Sequence, residues 1–396
     1  MLQKNDEELF GLKKFKPNDP ARSYTLPAEL YFNPEIYELE REKIFYKSWN
    51  FVCHTSQLAS PGSYKVVTLG DQSIAIVRGR DGELRAFHNV CSHRAHQLLT
   101  GEGKTRAITC PYHAWQYELN GHLRSNSVVE KVDGFTAEEF CLKPVNLEVF
   151  LGFVWINLDL AAKPLAEQAG DFEADVRKYV DCPETLVYAG RLTFEIKANW
   201  KNVVENFQEC YHCPPAHPAL VELFDHAIYR TRNYGICSSH IAPAREENSA
   251  YKVDGSKTGN QLMYAAWYLW PNVTFNVFPG RRNLSFMHIM PTGPETTFEH
   301  WDFFLDEATP NEEEKAAMEY IKDVLQPEDI GLVESVQRGL HSKAYSQGRL
   351  VIDKELVGGA CGSGAGLGEH QSSSISEHGV HHFQTLYYNA MTEGSR

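Results

Sequence analysis

Three things are scarce in this sequence of 396 residues: positive charge, long apolar runs and cysteine. Lys and Arg number 38 against 52 Asp and Glu, a formal net charge of −14, and no basic run offsets it. Such a chain repels phosphate backbones and anionic headgroups, which argues against nucleic acid and membranes as partners. The longest apolar run, VFLGFVWINL (149–158), is too short to span a bilayer and too rich in β-formers to suggest a helix. The opening MLQKNDEELFGLKK has no apolar stretch, so no signal peptide is expected. Nine cysteines are an odd number and too sparse for a disulfide scaffold. That favours a reducing compartment, with thiols used as ligands or core. The expectation is a soluble cytoplasmic protein. A nucleotide cradle is also missing. The glycine-rich VGGACGSGAGLGEHQSSS (357–374) does not meet G-x-G-x-x-G and reads as a flexible loop. Reducing equivalents must then arrive through a partner.

What is present is a globular composition, 42% hydrophobic with 12% aromatic residues, in a chain long enough for one large domain or two unequal ones. FNPEIYELEREKIFYKSW reads as an opening helix, with Asn33 as N-cap and Pro34 at the first helical position. From residue 50 to about 160 the pattern becomes short β-rich runs, with hairpin signals at GRDGEL and ELNGHL. A helical stretch and the strand AGRLTFEIKA follow. Residues 264–305 alternate as in an antiparallel sheet. TPNEEEKAAMEYIKDVL reads as a helix capped by Thr309, and Pro327 is expected to restart a second one. The fold class is α+β. It combines an all-β module at 48–162 with a larger domain at 163–396 whose antiparallel sheet is covered by helices, and an N-terminal helical segment at 1–47 packs on the latter.

CSHRAH and CPYHAW each place one Cys and one His on a tight turn, with sixteen residues between His93 and Cys110. A zinc finger usually pairs Cys with Cys and His with His. Mixed arms suit a Rieske [2Fe–2S] cluster, in which Cys91 and Cys110 hold one iron and His93 and His113 the other. Imidazole in place of thiolate lowers the cluster's negative charge and raises its potential, fitting it to pass electrons on.

An electron module needs a destination. In VVENFQECYHCPPAHP, His212 and His217 stand five residues apart with Pro214 and Pro215 between them. Five helical steps would leave them about 140° apart, whereas the prolines can re-aim the backbone so that both turn to one ion. Two His and one carboxylate form the usual non-haem Fe(II) site for O2 activation. Asp329, in the first turn of the Pro327 helix, is the candidate acid, with Glu328 as its rival. Glu209, expected one turn from His212 on the same helix face, could ligate or accept a ring N–H. Cys210 and Cys213 form a C-x-x-C that could be a redox disulfide or a third metal site; the simpler reading is packing around the site.

From EREKIFYKSW through NVCSHRAHQLL, CPYHAWQYELNG, NWKNVVENFQECYHCPPAHP and PEDIGLVESVQRGL to SISEHGVHHF, the sequence resembles the oxygenase component of Rieske non-haem iron oxygenases. Ala95 and Ala114, where glycine is common, and Glu209, where most members carry Asp, resemble the subgroup acting on quaternary ammonium compounds. The resemblance implies Cys91, His93, Cys110 and His113 on the [2Fe–2S] cluster, and His212, His217 and Asp329 on a mononuclear Fe(II). It implies a homotrimer in which Glu209 links the cluster of one subunit to the iron of the next. A flavin and iron–sulfur reductase would carry electrons from NAD(P)H, and O2 would be the co-substrate. The expected reaction is hydroxylation of a C–H beside nitrogen, most simply N-demethylation of a betaine with release of formaldehyde. The alternatives are carnitine-type C–N cleavage releasing trimethylamine, a bare Rieske electron carrier and a zinc-stabilised ligand-binding protein. A carrier has no use for His212, His217 and Asp329. A quaternary ammonium would meet aromatic faces. Tyr264, Trp267, Tyr268, Trp270, Phe275, Phe278 and Phe286 are available, with Tyr264, Trp267, Trp270, Phe275 and Phe286 preferred; aromatics at period 2 are usually core, so about two of the seven are expected to touch substrate. A substrate carboxylate would want one of Arg230, Arg232, Arg281, Arg282 or His288.

Overall fold

Alternating apolar residues between positions 50 and 157 fold as an antiparallel sheet in the computed structural model, which describes residues 11–124, 131–257, 259, 261–353 and 370–392. Most of the glycine-rich loop, residues 357–369, lies outside these. The chain divides into two units, Phe45–Leu165 and Met1–Ile44 with Ala166–Arg396. No helix among the described residues is long and apolar enough to cross a membrane.

In the unit Phe45–Leu165 the strands are β1 (Asn50–His54), β2 (Ser63–Leu69), β3 (Gln72–Arg78), β4 (Leu84–His88), β5 (Glu102–Lys104), β6 (Ile108–Thr109), β7 (Gln116–Tyr117), β8 (Pro144–Phe150) and β9 (Phe153–Asn157). Seven form a sheet in the order β1-β9-β8-β4-β3-β2-β5, while β6 and β7 pair separately. The Asp81-Gly82 turn joins β3 to β4, with Gly82 at φ +86°. The glycine of ELNGHL is required twice over. Gly121 has φ +87°, and a Cβ there would lie 2.5 Å from the Phe87 ring.

The other unit opens with α1 (Pro34–Glu40), capped by the Asn33 side chain on the Glu35 N–H. Its eight-stranded antiparallel sheet runs in the order β10-β16-β15-β14-β13-β12-β11-β17. These strands are β10 (Val187–Ile196), β11 (Arg230–Tyr234), β12 (Cys237–Pro243), β13 (Met263–Leu269), β14 (Val273–Val277), β15 (Asn283–Gly293), β16 (Thr296–Leu305) and β17 (His370–Ser373). Its helices are α2 (Trp200–Phe207), α3 (Cys213–Ala216), α4 (Pro218–Leu223), α5 (Glu312–Tyr320), α6 (Gln326–Leu340) and α7 (His378–Thr392). A buried carboxylate fixes α2. Glu40 accepts from Trp200 Nε1 at 2.8 Å, Lys201 Nζ at 2.5 Å and the Tyr387 hydroxyl at 2.8 Å.

Two helix starts differ from the sequence reading. Asn311, not Thr309, caps α5, because it completes a reciprocal pair of bonds with Glu314. Pro327 stands at the start of α6 as expected, but that helix begins one residue earlier, at Gln326, and follows α5 without a loop. A wide π-turn, Ile321–Leu325, joins α5 to α6 and absorbs a proline that cannot donate to an ordinary turn.

Candidate metal centres

The two Cys–His arms take the same local shape. In each, the cysteine N–H bonds forward at 2.8 Å, Cys91 to the His96 carbonyl and Cys110 to that of Trp115. Ala95 and Ala114 close the turns by donating back to the Cys91 and Cys110 carbonyls, at φ +58° and +54°. Left-handed backbone at alanine costs about 1 kcal/mol or more, so both loops are held against a local preference for glycine. The sulfurs are buried at the base, with Cys91 Sγ 3.3 Å from the Tyr117 hydroxyl. The imidazoles are exposed, their centroids 4.7 Å apart, and His93 stacks on Trp115. Two free buried thiols below two imidazoles are the donor set of a Rieske cluster, one residue type per iron.

The second centre is made by the break between helices. After α2 ends, Glu209 folds back on the chain. Its Oε2 accepts from the Tyr211 and His212 N–H groups, and its Oε1 lies 2.5 Å from His212 Nδ1. Glu209 and His212 therefore meet through a capping turn rather than along a helix face as the sequence suggested. The prolines at the start of α3 give one helical turn, then His217 (φ −124°, ψ 67°) breaks the helix and Pro218 begins α4. That bend brings the two imidazole centroids within 5.1 Å.

Asp329 comes from the first turn of α6. Its Oδ1 lies 2.9 Å from His217 Nε2 and 3.5 Å from His212 Nε2. Glu328, the rival acid, faces outward instead. It lies 2.7 Å from His217 Nδ1, the nitrogen pointing away from Asp329. One donor atom from each of His212, His217 and Asp329 falls within 4.8 Å of the others. Two imidazole nitrogens and one carboxylate oxygen, with both outer nitrogens anchored by acids, fit a non-haem iron. The electrostatics agree. Burial would lower the His212 imidazole, but Asp329 and Glu209 outweigh it and push it up to about 10. His217 is raised in the same way by Asp329 and Glu328. Burial would raise the Asp329 carboxyl, yet the two imidazoles hold it down to about 2. The cluster holds protons where a cation would sit, so metal uptake should release them.

Cys210 and Cys213, read as packing, are joined as a disulfide with a Cα–Cα distance of 4.9 Å. The turn in which the Cys213 N–H bonds the Cys210 carbonyl puts both sulfurs on one side, which spacing alone did not reveal.

A cavity beside the His–His–Asp cluster is walled by aromatic rings. Tyr229, Phe224 and Tyr264 stack in succession at 5.6 and 5.0 Å, then Phe278 meets Tyr264 edge-on at 5.6 Å and Trp301 at 6.2 Å. Of the seven aromatic residues the sequence offers, Tyr264 and Phe278 line it; of the five preferred among them, only Tyr264 does. Trp267, Phe275 and Phe286 pair across β13, β14 and β15 as one row on the opposite face of the sheet. There Trp267 donates to Asp175 and Phe275 packs on Phe172. Trp270, just past β13, packs against Trp200 and Phe383. The basic candidates also sit elsewhere. Arg230 bonds the Ala227 and Tyr229 carbonyls, Arg232 pairs with Asp171, and Arg281 and Arg282 pair with Asp306. His288 is on the far face of β15 and is held neutral by burial, at about 3. Phe224, Tyr229, Trp301 and Glu299 were missed as lining residues. Counting alternate positions outward from Tyr264 along the paired strands would have found the last two.

Residues 183–393 match the family described as ring hydroxylating alpha subunit (catalytic domain), and residues 48–136 match the Rieske [2Fe–2S] domain. The oxygenase subunit of carnitine monooxygenase from Escherichia coli K12 is 38% identical over 372 residues, covering 93% of this chain and 94% of that protein. Chloroplastic choline monooxygenase from Atriplex hortensis is 32% identical over 353 residues, 87% of this chain and 78% of that one. A solved quaternary ammonium Rieske monooxygenase superposes with a TM-score of 0.84 at 34% identity, covering 96% of this chain and 99% of that one. Naphthalene 1,2-dioxygenase from a Rhodococcus, 20% identical with a TM-score of 0.80, shares the fold. The chain belongs to the alpha subunits of Rieske non-haem iron oxygenases, as a quaternary ammonium monooxygenase component with a [2Fe–2S] domain and a mononuclear-iron catalytic domain.

Proposed function

We propose that this oxygenase hydroxylates a C–H bond beside the nitrogen of a small quaternary ammonium substrate. The observation that carries the reading is the aromatic wall standing in the same cavity as His212, His217 and Asp329. Aromatic faces attract a trimethylammonium group through their π-electrons, by up to about 2 kcal/mol when desolvated. Cys91, Cys110, His93 and His113 hold the cluster in this proposal, and His212, His217 and Asp329 hold iron. An iron(II) bound there supplies O2 activation. The chain's own residues do the rest. Glu209 and Glu328 accept hydrogen bonds from the Nδ1–H groups of His212 and His217, which fixes the tautomers and leaves each Nε2 lone pair free to ligate. Phe224, Tyr264, Phe278 and Trp301 hold the methylated head and exclude water around it. Electrons come singly from NAD(P)H through a flavin and iron–sulfur reductase in the cytoplasm, to a homotrimer. One oxygen atom enters the substrate, and the other leaves as water with two electrons and two protons.

Where the hydroxyl lands decides the product. On an N-methyl group the hemiaminal collapses to formaldehyde and a demethylated amine, the outcome for a betaine such as proline betaine or glycine betaine. On the chain carbon it releases trimethylamine, and 38% identity to a carnitine monooxygenase subunit favours this second reading. The test is a panel of carnitine, choline, glycine betaine and proline betaine, with a surrogate reductase. Formaldehyde and trimethylamine are followed together with O2 consumption. One of the four should give product coupled to O2; uncoupled O2 consumption with every one of them overturns the assignment.

A further inference from the structure

The aromatic cavity contains an acid that no hydrogen bond explains. Glu299, on β16, is 1% exposed, and its Oε1 has no hydrogen-bond partner. It shares a face with its neighbours on the sheet. Cross-strand pairing sets Glu299 opposite Ile289 and Trp301 opposite Met287, so both side chains point to the side on which Met287 lines the cavity. The Trp301 Nε1 is likewise buried without a partner. A buried unpaired carboxylate is costly unless a positive charge meets it. None of the described lining residues is Arg or Lys, so no side-chain ammonium or guanidinium in the cavity competes for Glu299.

We propose that Glu299 is the counter-charge for the quaternary ammonium head, which sits within the wall of Phe224, Tyr264, Phe278 and Trp301. This rests on the substrate class proposed above and adds the residue that selects charge rather than shape. The rings alone accept any branched apolar group of the right size. The acid makes the site discriminate against an uncharged one. Burial, reinforced by the charge of Asp329, raises the Glu299 carboxyl well above the ordinary carboxylate range. A bound cation is the change that would make its ionised form favourable.

The test compares choline with 3,3-dimethylbutan-1-ol, its uncharged carbon isostere, binding to the metal-loaded oxygenase by calorimetry. The wild type should bind choline at least about tenfold more tightly than the isostere. Glu299→Gln should weaken choline by about that factor, leave the isostere unchanged, and keep the Rieske absorbance and the iron content. Glu299→Asp keeps a charge set back by one methylene, so part of the preference should survive. Three results overturn the proposal, and they differ in what else falls. A wild type that does not prefer choline removes the cation-binding cavity, and with it the substrate class. A wild-type preference that survives in Glu299→Gln removes only the role of Glu299. A preference lost equally in Glu299→Gln and Glu299→Asp assigns the effect to cavity shape.

Discussion

Asp329 and Glu328 are adjacent acids in one helical turn, and they approach opposite sides of His217 because the helix points them differently. Asp329 reaches the Nε2 atoms of both histidines, while Glu328 reaches the Nδ1 of His217. A carboxylate on the inner side can ligate; one on the outer side can only orient the ring. Asp329→Ala should therefore empty the mononuclear site while the Rieske spectrum is kept, as read by metal analysis and EPR of the reduced protein. Glu328→Gln should retain a weaker site, with iron affinity down by roughly 10–100-fold, the usual loss when an outer partner of a ligand is removed. Equal iron in wild type and Asp329→Ala would return the ligand role to Glu328 or to another acid. The sequence put Asp329 ahead of Glu328, but on the helix end and the family resemblance rather than on where each side chain points. Spacing fixes which turn a residue occupies, and the π-turn before α6 shifts the rotational phase that a plain helix would have given.

At the scale of elements, the sheet sorts aromatic residues by parity, and parity predicts function. Tyr264, Phe278, Met287 and Trp301 are on the cavity side, while the row Trp267–Phe275–Phe286 is on the core side. Trp267 is fully buried and donates to Asp175 at 2.9 Å. Trp267→Ala should cost about 3–5 kcal/mol of stability. Trp301→Leu should cost less stability but weaken a trimethylammonium ligand by about tenfold, the magnitude of a desolvated cation–π contact. Thermal melts and ligand titrations on the two variants separate the roles. A Trp267→Ala protein with an unchanged melting temperature and a weakened ligand would reverse the assignment of faces. The strands were legible in the sequence because YAAWYL, VTFNV and NLSFMHI carry β-formers between turns. Their buried face was not. Both faces of β13 and β14 are largely buried, so the alternation in VTFNV separates two buried faces rather than a core face from a solvent face. Only the pairing register decides which aromatics meet substrate. The proposed metal ligands stood out for the opposite reason, since two histidines flanking paired prolines break the apolar pattern around them.

At the scale of the whole molecule, the proposed reaction needs an electron to travel from one centre to another, and Glu209 is the residue proposed to carry the link. Its Oε1 is placed to accept from His212 Nδ1, and its Oε2 accepts from two backbone N–H groups. A carboxylate offers about four acceptor positions, so these three bonds leave room for one more donor. The imidazoles of His93 and His113 are exposed on the Phe45–Leu165 unit, which suits them to meet an acid of a neighbouring subunit. In the proposed trimer, a ring N–H from a neighbour's cluster would complete the set. Glu209→Gln should keep the cluster and the iron, and the reductase should still reduce the cluster. Product formation should fall by roughly 100-fold, because the amide loses the charge and replaces one of the two accepting oxygens with an NH2 that faces donors. Glu209→Asp should recover part of the rate if the gap closes by one methylene. Whether the path crosses between subunits is decided by mixing two inactive proteins. His113→Ala lacks a competent cluster, and Asp329→Ala lacks the iron site. Refolded or co-expressed together they should regain activity, since an intact cluster on one chain can then serve an intact iron on the next. Mixed oligomers that stay inactive, from parents each shown to retain their other centre, would confine the electron to a single chain and leave Glu209 as no more than the residue that orients His212.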